Sequence, residues 1–332
     1  MVDEANGGAA GKPSRVTVVI PTVGRPSLAR AVRSALMQTF GDLTVVVGVD
    51  GSPSLLEGIE LPEDGRLRFV YCQARRGENG ARMAAAAATR SELIAFLDDD
   101  DWWEPTKIAA QVEAIDRIRA GGMRHALITC RSLNRTESGD AIGTAPRRVP
   151  RTGESVGEYL FTRREIRPGG AGFGSSMFFF DRDLLEVVPL SEGLPLHGDL
   201  DWALRAAARP DTAFFMLEDV LVNYTRQPAG MSNWPQARWS ASFDWVMNGA
   251  QGLGARERGD ALLCFTAPLA LRARDWRGIG KVVWTVTIGP ARAGAHAWLF
   301  FVILATREGV KDIGRVARRA SNAKSVAGQS DR

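Results

Sequence analysis

Four short apolar runs, alternating with helical segments and turns, fill the first hundred residues, and the last run ends in four consecutive aspartates. Arg15 to Ile20, Leu43 to Val49, Leu67 to Cys72 and Leu93 to Leu97 read as buried strands. After the first of them, Ser27 is placed to cap a helix running to about Gln38, with Leu28, Val32, Ala35 and Leu36 on one face. Gly80 to Thr89 is an alanine-rich helix, and Glu104 to Ala120 continues the alternation with Ile108, Val112, Ile115 and Ile118 spaced for burial. Strands that alternate with helices close as right-handed βαβ units. The expected class is therefore α/β, a mainly parallel sheet flanked by helices.

The tetrad Asp98 to Asp101 sits at the tip of the fourth strand and is followed at once by Trp102 and Trp103. Four adjacent carboxylates repel one another unless a cation or a cationic side chain neutralises them. Magnesium and manganese are held by carboxylate oxygens, commonly together with substrate phosphates. Ligands of open α/β sheets also bind beyond the carboxyl ends of strands. The alternative is a solvated acidic turn that caps the next helix. The tetrad alone leaves both open.

Residues 132–170 are rich in Arg, Gly, Ser and Thr with little periodicity, and read as loops. Ser175 to Phe180 is another apolar strand, and Asp199 to Ala208 opens a short helix. From about Pro235 the pattern turns helical, through Leu262–Leu271, Ile279–Ile288 and Trp298–Leu304. The expected organisation is a disordered leader over 1–14, a catalytic α/β domain over 15–230, a helical region over 231–322 and a disordered tail over 323–332.

Three well-separated cysteines, Cys72, Cys130 and Cys264, give neither a disulfide framework nor a zinc spacing, which suits a reducing cytosol. Met1 to Ser14 has no apolar core of the kind a signal peptide needs. No Walker-type loop, no Gly-x-Gly-x-x-Gly after the first strand and no Gly-x-Ser-x-Gly elbow occurs, which argues against ATPase, dehydrogenase and that class of hydrolase. The net charge of +4 is concentrated at the end, where Arg292 onward carries 8 basic and 3 acidic residues. There is no basic module of a nucleic-acid binder.

Four landmarks in order resemble one family. Val18 to Arg25, Val49 to Ser52, Gly77 to Arg82 and Phe96 to Trp103 look like the successive motifs of family 2 glycosyltransferases with the GT-A fold, over roughly residues 15 to 230. The resemblance implies a metal-dependent, inverting, hexosyltransferase-type enzyme with a nucleoside-diphosphate sugar donor, UDP or dTDP by preference. The acceptor would be a hydroxyl or other nucleophile in glycan, glycolipid or natural-product biosynthesis. In the family an Asp-x-Asp motif binds Mg²⁺ or Mn²⁺ and the donor. Asp98, Asp99 and Asp100 occupy it, with Asp98 expected near ribose or sugar and Asp100 on the metal; the tetrad leaves the register open by one residue.

Asp50 matches the family's base-recognising acid, although Val49 stands where a second acid is common. Thr22 and Arg25 fall where the family contacts the nucleotide. Arg82 matches an arginine near the phosphates, with Met83 replacing the usual Asn; outside the resemblance, an arginine on such a helix reads as solvated. Asp199 matches the late acidic motif that supplies the catalytic base, with Gly198 in place of Glu and Asp201 as the fallback. Without the resemblance, Asp199 is an N-cap. His197 beside it is read either as a metal or phosphate contact or as a structural histidine. Trp102, Trp103 and Trp202 are read either as sugar-stacking surfaces or as core. Gly174 to Ser176 are expected to line the acceptor cleft. A nucleotidyltransferase on a similar sheet and a non-enzymatic nucleotide- or sugar-binding module are the alternative readings.

The apolar stretch Ala293 to Thr306 is too short to span a bilayer, for which about 20 residues are needed. Lys311, Arg315, Arg318 and Arg319 follow it on one helical face. The segment 293–322 is thus either a peripheral membrane contact or a packed helix pair with a solvated basic face. A cytoplasmic chain, with or without contact at the inner membrane face, and a homodimer complete the expectations.

Overall fold

The computed structural model describes residues 15–74, 76–167, 169–226 and 239–308. The expected leader 1–14 and the basic positions Lys311, Arg315, Arg318 and Arg319 lie outside the described residues. Two compact units are present, one of residues 15–160 and 169–226, the other of 161–167 and 239–308. The short excursion at 161–167 was not expected from the sequence.

In the first unit, β1 (Val16–Thr22), α1 (Leu28–Leu36), β2 (Leu43–Val49), β3 (Leu67–Tyr71), α2 (Gly77–Ala87), β4 (Leu93–Phe96), β5 (Trp102–Trp103) and α3 (Lys107–Ala120) follow the expected alternation. Then come β6 (His125–Arg135), β7 (Ala141–Ala145), α4 (Val156–Phe161), β8 (Phe179–Asp181), α5 (Arg182–Val187), α6 (Gly198–Ala207) and β9 (Thr212–Thr225). The strands form one sheet in the order β3-β2-β1-β4-β8-β6-β9-β5, with β7 paired to β6. Its first half is parallel, β1 pairing with β2 and β4, and β2 with β3. Its second half is mixed: β8 runs antiparallel to β4 and β6, whereas β6 and β9 are parallel.

Both faces of the sheet are covered, so its central strands β1, β2 and β4 are buried at every position and mostly apolar, rather than apolar at alternate ones. Val18, Ile20, Val45, Val47 and Ala95 point into one core with Leu28, Val32, Ile108 and Ile115. Val19, Val46, Ile94 and Phe96 point into the other, with Phe180 and Trp202. The period-2 alternation of side chains divides each continuous run between the two cores.

Much of the stretch expected as loop is ordered. Residues 132–135 finish β6, and a hairpin leads to β7. The ladder here carries Ser132 and Asn134, both buried, so hydropathy does not mark it as strand.

The second unit holds α7 (Trp239–Asp244), α8 (Ala255–Ala261), α9 (Ala267–Ala273), α10 (Trp276–Thr287) and a further helix over 295–308. Fully buried Asp260 organises it, accepting from the backbone amides of Arg163 and Gly294, each at 2.8 Å, and from Arg256 at 2.9 Å. No helix among the described residues is long and apolar enough to cross a membrane.

Candidate active site

The aspartate turn lies beyond the carboxyl end of β4, next to the ends of β1 and β2, where ligands of open sheets bind. Each carboxylate of the tetrad has its own arrangement. Asp98 accepts from Arg82 at 2.5 Å and from the Ser175 hydroxyl at 2.7 Å. Asp99 is buried and accepts from the Thr22 hydroxyl at 2.6 Å and from Arg25 at 2.7 Å. Asp100 is partly exposed and lies 3.4 Å from Arg25. Its backbone oxygen accepts from Arg30 at 3.1 Å and from the Thr225 hydroxyl at 2.5 Å. Asp101 is buried, and one of its oxygens accepts the Thr225 amide at 2.8 Å.

Arginines therefore supply neutralising charge to the tetrad from within the chain. Burial nevertheless raises two of the four carboxyls. It pushes Asp99 up to about 6, against the Thr22 hydrogen bond and the Arg25 charge. Burial, with the Asp98 and Asp100 charges, raises Asp101 well above the usual carboxylate range.

Arg82 is buried rather than solvated. Besides Asp98 it pairs with Glu78 one turn earlier and donates to Asn79 at 3.0 Å. Asp50 is buried at the end of β2, where its two oxygens accept the backbone amides of Arg76 at 2.8 Å and Gly77 at 3.2 Å. It thereby holds the first turn of α2 against the end of the strand. This takes up donors that a helix start leaves unsatisfied.

Asp199 lies in the first turn of α6, which begins directly after His197 in a left-handed conformation, φ 62°. The Asp199 carboxylate accepts the Leu200 amide at 2.9 Å. Burial pushes its pKa up to about 6, opposed by that hydrogen bond and by the Arg82 charge. A Cβ at Gly198 would lie 3.0 Å from Asn79 Nδ2, a tight contact with a side chain that donates to the Ser191 carbonyl at 2.9 Å. Asp201, the alternative acid, accepts from Arg205 at 2.9 Å and Ser191 at 2.8 Å. Burial lowers His197 to about 4, so its imidazole is neutral at pH 7.

A cavity of about 220 Å³ opens against Asp199, walled also by Phe173, Gly174, Tyr224, Arg226 and Asn134. Gly174 thus faces it, while Ser175 binds Asp98 and the Ser176 hydroxyl accepts the Asp98 amide at 3.0 Å. Tyr224 and Arg226 had no place in the sequence reading. The run Val220 to Thr225 is rich in β-branched and aromatic residues, the available signal for the strand that carries Tyr224. In Tyr224, burial and the charges of Asp101, Asp98 and Asp199 raise the phenol, keeping it a proton donor at neutral pH.

The three tryptophans differ. Trp202 is fully buried and donates to the Val188 carbonyl at 2.7 Å. Trp103 is buried and donates to the Ser176 carbonyl at 2.9 Å. Trp102 is partly exposed under the Arg30 guanidinium, which lies 3.7 Å from the ring centre.

Among the described residues no three His, Cys, Asp or Glu side chains gather into a set able to hold a metal. Magnesium does not require one, being commonly held by one or two carboxylates and substrate phosphates. Partly exposed Asp100 fits that manner of binding better than enclosed Asp99.

These features define a nucleotide-sugar transferase type of fold, and comparison with known proteins agrees. The chain belongs to glycosyl transferase family 2, whose family model matches residues 17–188. It is 34% identical over 104 residues to an uncharacterised glycosyltransferase, alr2836, of Nostoc, covering 30% of this chain and 32% of that one. It is 29% identical over 103 residues to WfaP of Escherichia coli, described as a UDP-Glc:alpha-D-GlcNAc-diphosphoundecaprenol beta-1,3-glucosyltransferase, covering 30% of this chain and 41% of that one. The matched region is thus well under half the length of either relative. Among solved structures, TarS of S. aureus shares the fold with a TM-score of 0.51 at 14% identity, covering 90% of this chain and 53% of that one.

Proposed function

We propose that this chain is an inverting glycosyltransferase acting on a nucleoside-diphosphate sugar, with UDP or dTDP as the nucleotide and Asp199 as the base. The observation that carries the proposal is the Asp199 carboxylate, raised to about 6 at the wall of a cavity and within electrostatic reach of the Arg82–Asp98 pair. A base of that pKa is ionised at pH 7 and still takes up a proton readily. The acceptor oxygen attacks the anomeric carbon, and its proton passes to Asp199. The bond from that carbon to the diphosphate breaks, and its electron pair leaves with the nucleoside diphosphate.

Thr22, Arg25, Asp50, Arg82, Asp98 and Asp99 hold the donor. Buried Asp50 orders the start of α2, and Arg82 and Arg25 offer positive charge to the diphosphate. Mg²⁺ or Mn²⁺, held by Asp100 with Asp98 or His197 beside the diphosphate, would supply Lewis-acid stabilisation of the leaving group. UDP is favoured by the donor printed in the name of WfaP. That name also carries a lipid-linked sugar acceptor, which supports a role in building a surface polysaccharide.

Calorimetric titration with UDP, dTDP and GDP, in Mn²⁺ or in EDTA, tests the donor site on the wild-type chain and on Asp100→Ala. The expected result is metal-dependent binding of one nucleotide, lost in the variant. Binding of none of the three would overturn the proposal. Equal binding in EDTA would remove its metal.

A further inference from the structure

Among its described residues, the second unit exposes an apolar stripe on α10. On α10, Gly278, Val282, Thr285 and Val286 are buried. The opposite face presents Trp276 at 70% exposure, Trp284 at 58% and, just past the helix end, Ile288 at 70%. These positions fall within one side of a 3.6-residue helix. Two tryptophans and an isoleucine left in water on one stripe mark an interaction surface.

The charge around the stripe identifies its partner. Exposed Arg277 shares this face, Arg272 and Arg274 precede it in the chain, and Arg292 follows; no acidic residue occurs from Trp276 to Pro290. Lys281 lies at the margin of the face, its ammonium 4.1 Å from the Phe243 ring centre. Asp275, just before the helix, is engaged in capping it, accepting from the Gly278 amide at 2.9 Å and from Trp239 at 2.8 Å. On the helix over 295–308 of the same unit, Leu299 and Val302 are also exposed. A second copy of the chain fits poorly. A two-fold interface sets a patch against itself, and a patch with basic and no acidic groups repels its copy. Amphipathic tryptophan with neighbouring arginine and lysine is what an anionic bilayer surface accepts.

We propose that the outward face of α10 docks on an anionic lipid surface. Trp276, Trp284 and Ile288 enter the headgroup boundary, and Arg277 meets lipid phosphates. This locates a membrane contact on α10, before the segment 293–322 for which the sequence left a membrane contact and a packed helix pair both open, and it does not depend on the transferase reading.

The test is flotation of the full chain with phosphatidylcholine vesicles, with and without phosphatidylglycerol. Binding is expected only with the anionic lipid and should weaken as salt rises. Trp276→Ser with Trp284→Ser should weaken it on the order of tenfold. Arg277→Gln, a surface change that leaves packing alone, should weaken it about fivefold. Unaltered flotation of both variants, or no flotation on any vesicle, overturns the proposal. A dimer seen by light scattering and lost in the tryptophan variant, without flotation, assigns the face to self-association instead.

Discussion

The Ser175 hydroxyl donates to the Asp98 carboxylate at 2.7 Å, tying the aspartate turn to the segment that walls the cavity. Its neighbour Gly174 faces that cavity: a Cβ there would lie 3.9 Å from Asp199 Oδ2 and 3.8 Å from the Tyr224 ring. Thr225 makes a second tie, giving its amide to Asp101 and its hydroxyl to the Asp100 carbonyl. Tyr224 and Arg226, on either side of it, line the cavity. The proposed donor and acceptor sites thus share a frame of backbone and hydroxyl contacts.

Asp199→Asn should lower turnover by roughly 10²–10⁴-fold, the usual worth of a general base. Nucleotide affinity should stay within about twofold, because the carboxylate faces the cavity. In the wild type, kcat/KM should rise with pH through about 6 as Asp199 loses its proton. Steady-state kinetics of both proteins between pH 5 and 8 check this. Full activity in the variant would dismiss Asp199 as the base.

Gly174→Ala separates space from stability. The backbone at Gly174 is extended, φ −140°, and its built Cβ meets only ordinary contacts, so the melting temperature should not move. The methyl group nevertheless projects between Asp199 and Tyr224. Transfer efficiency to the acceptor should fall about tenfold or more through a higher acceptor KM, with nucleotide binding unchanged. Unaltered acceptor kinetics would place the acceptor elsewhere.

Arg82→Met removes the cation paired with Asp98 and Glu78 from a position that is 4% exposed. Asp98 keeps some contact with solvent, so the loss should be about 2 kcal/mol, below the range for a fully buried pair. Urea unfolding measures it. Nucleotide affinity should fall as well, which a purely structural arginine would not cause.

Stability should depend on pH with an unusual sign in the mildly acid range. Asp99 and Asp199, both raised to about 6, and Asp101, raised by burial and by its neighbouring carboxylates, hold protons in the folded state that the unfolded chain releases near pH 4. His197, lowered to about 4, works the other way in the same window, since the unfolded chain keeps that proton up to about pH 6.5. Three raised carboxyls outnumber it, so the folded state binds more protons in sum and stability falls as pH rises from about 4 through 6. Thermal melts should show a decline of about 5 °C across that window. Asp99→Asn should flatten part of it.

The sequence already contained the strands, because β1, β2 and β4 are near-continuous apolar runs, broken only by threonine, proline and glycine, as a sheet covered on both faces requires. It also showed the order of the motifs, and hence which acids cluster beyond the strand ends. It could not show that Arg82 is buried, since only the approach of Asp98 across the sheet edge makes burial of that charge tolerable. The sequence ranked Asp199 ahead of Asp201 only by resemblance; in the structure Asp201 is engaged by Arg205 one turn on and by Ser191 from outside the helix. Tyr224 joins the site because β9 pairs with β5 beside the tetrad, a contact between residues more than a hundred positions apart. Local pattern determines which segments are strands and helices; long-range pairing decides which of their polar ends meet.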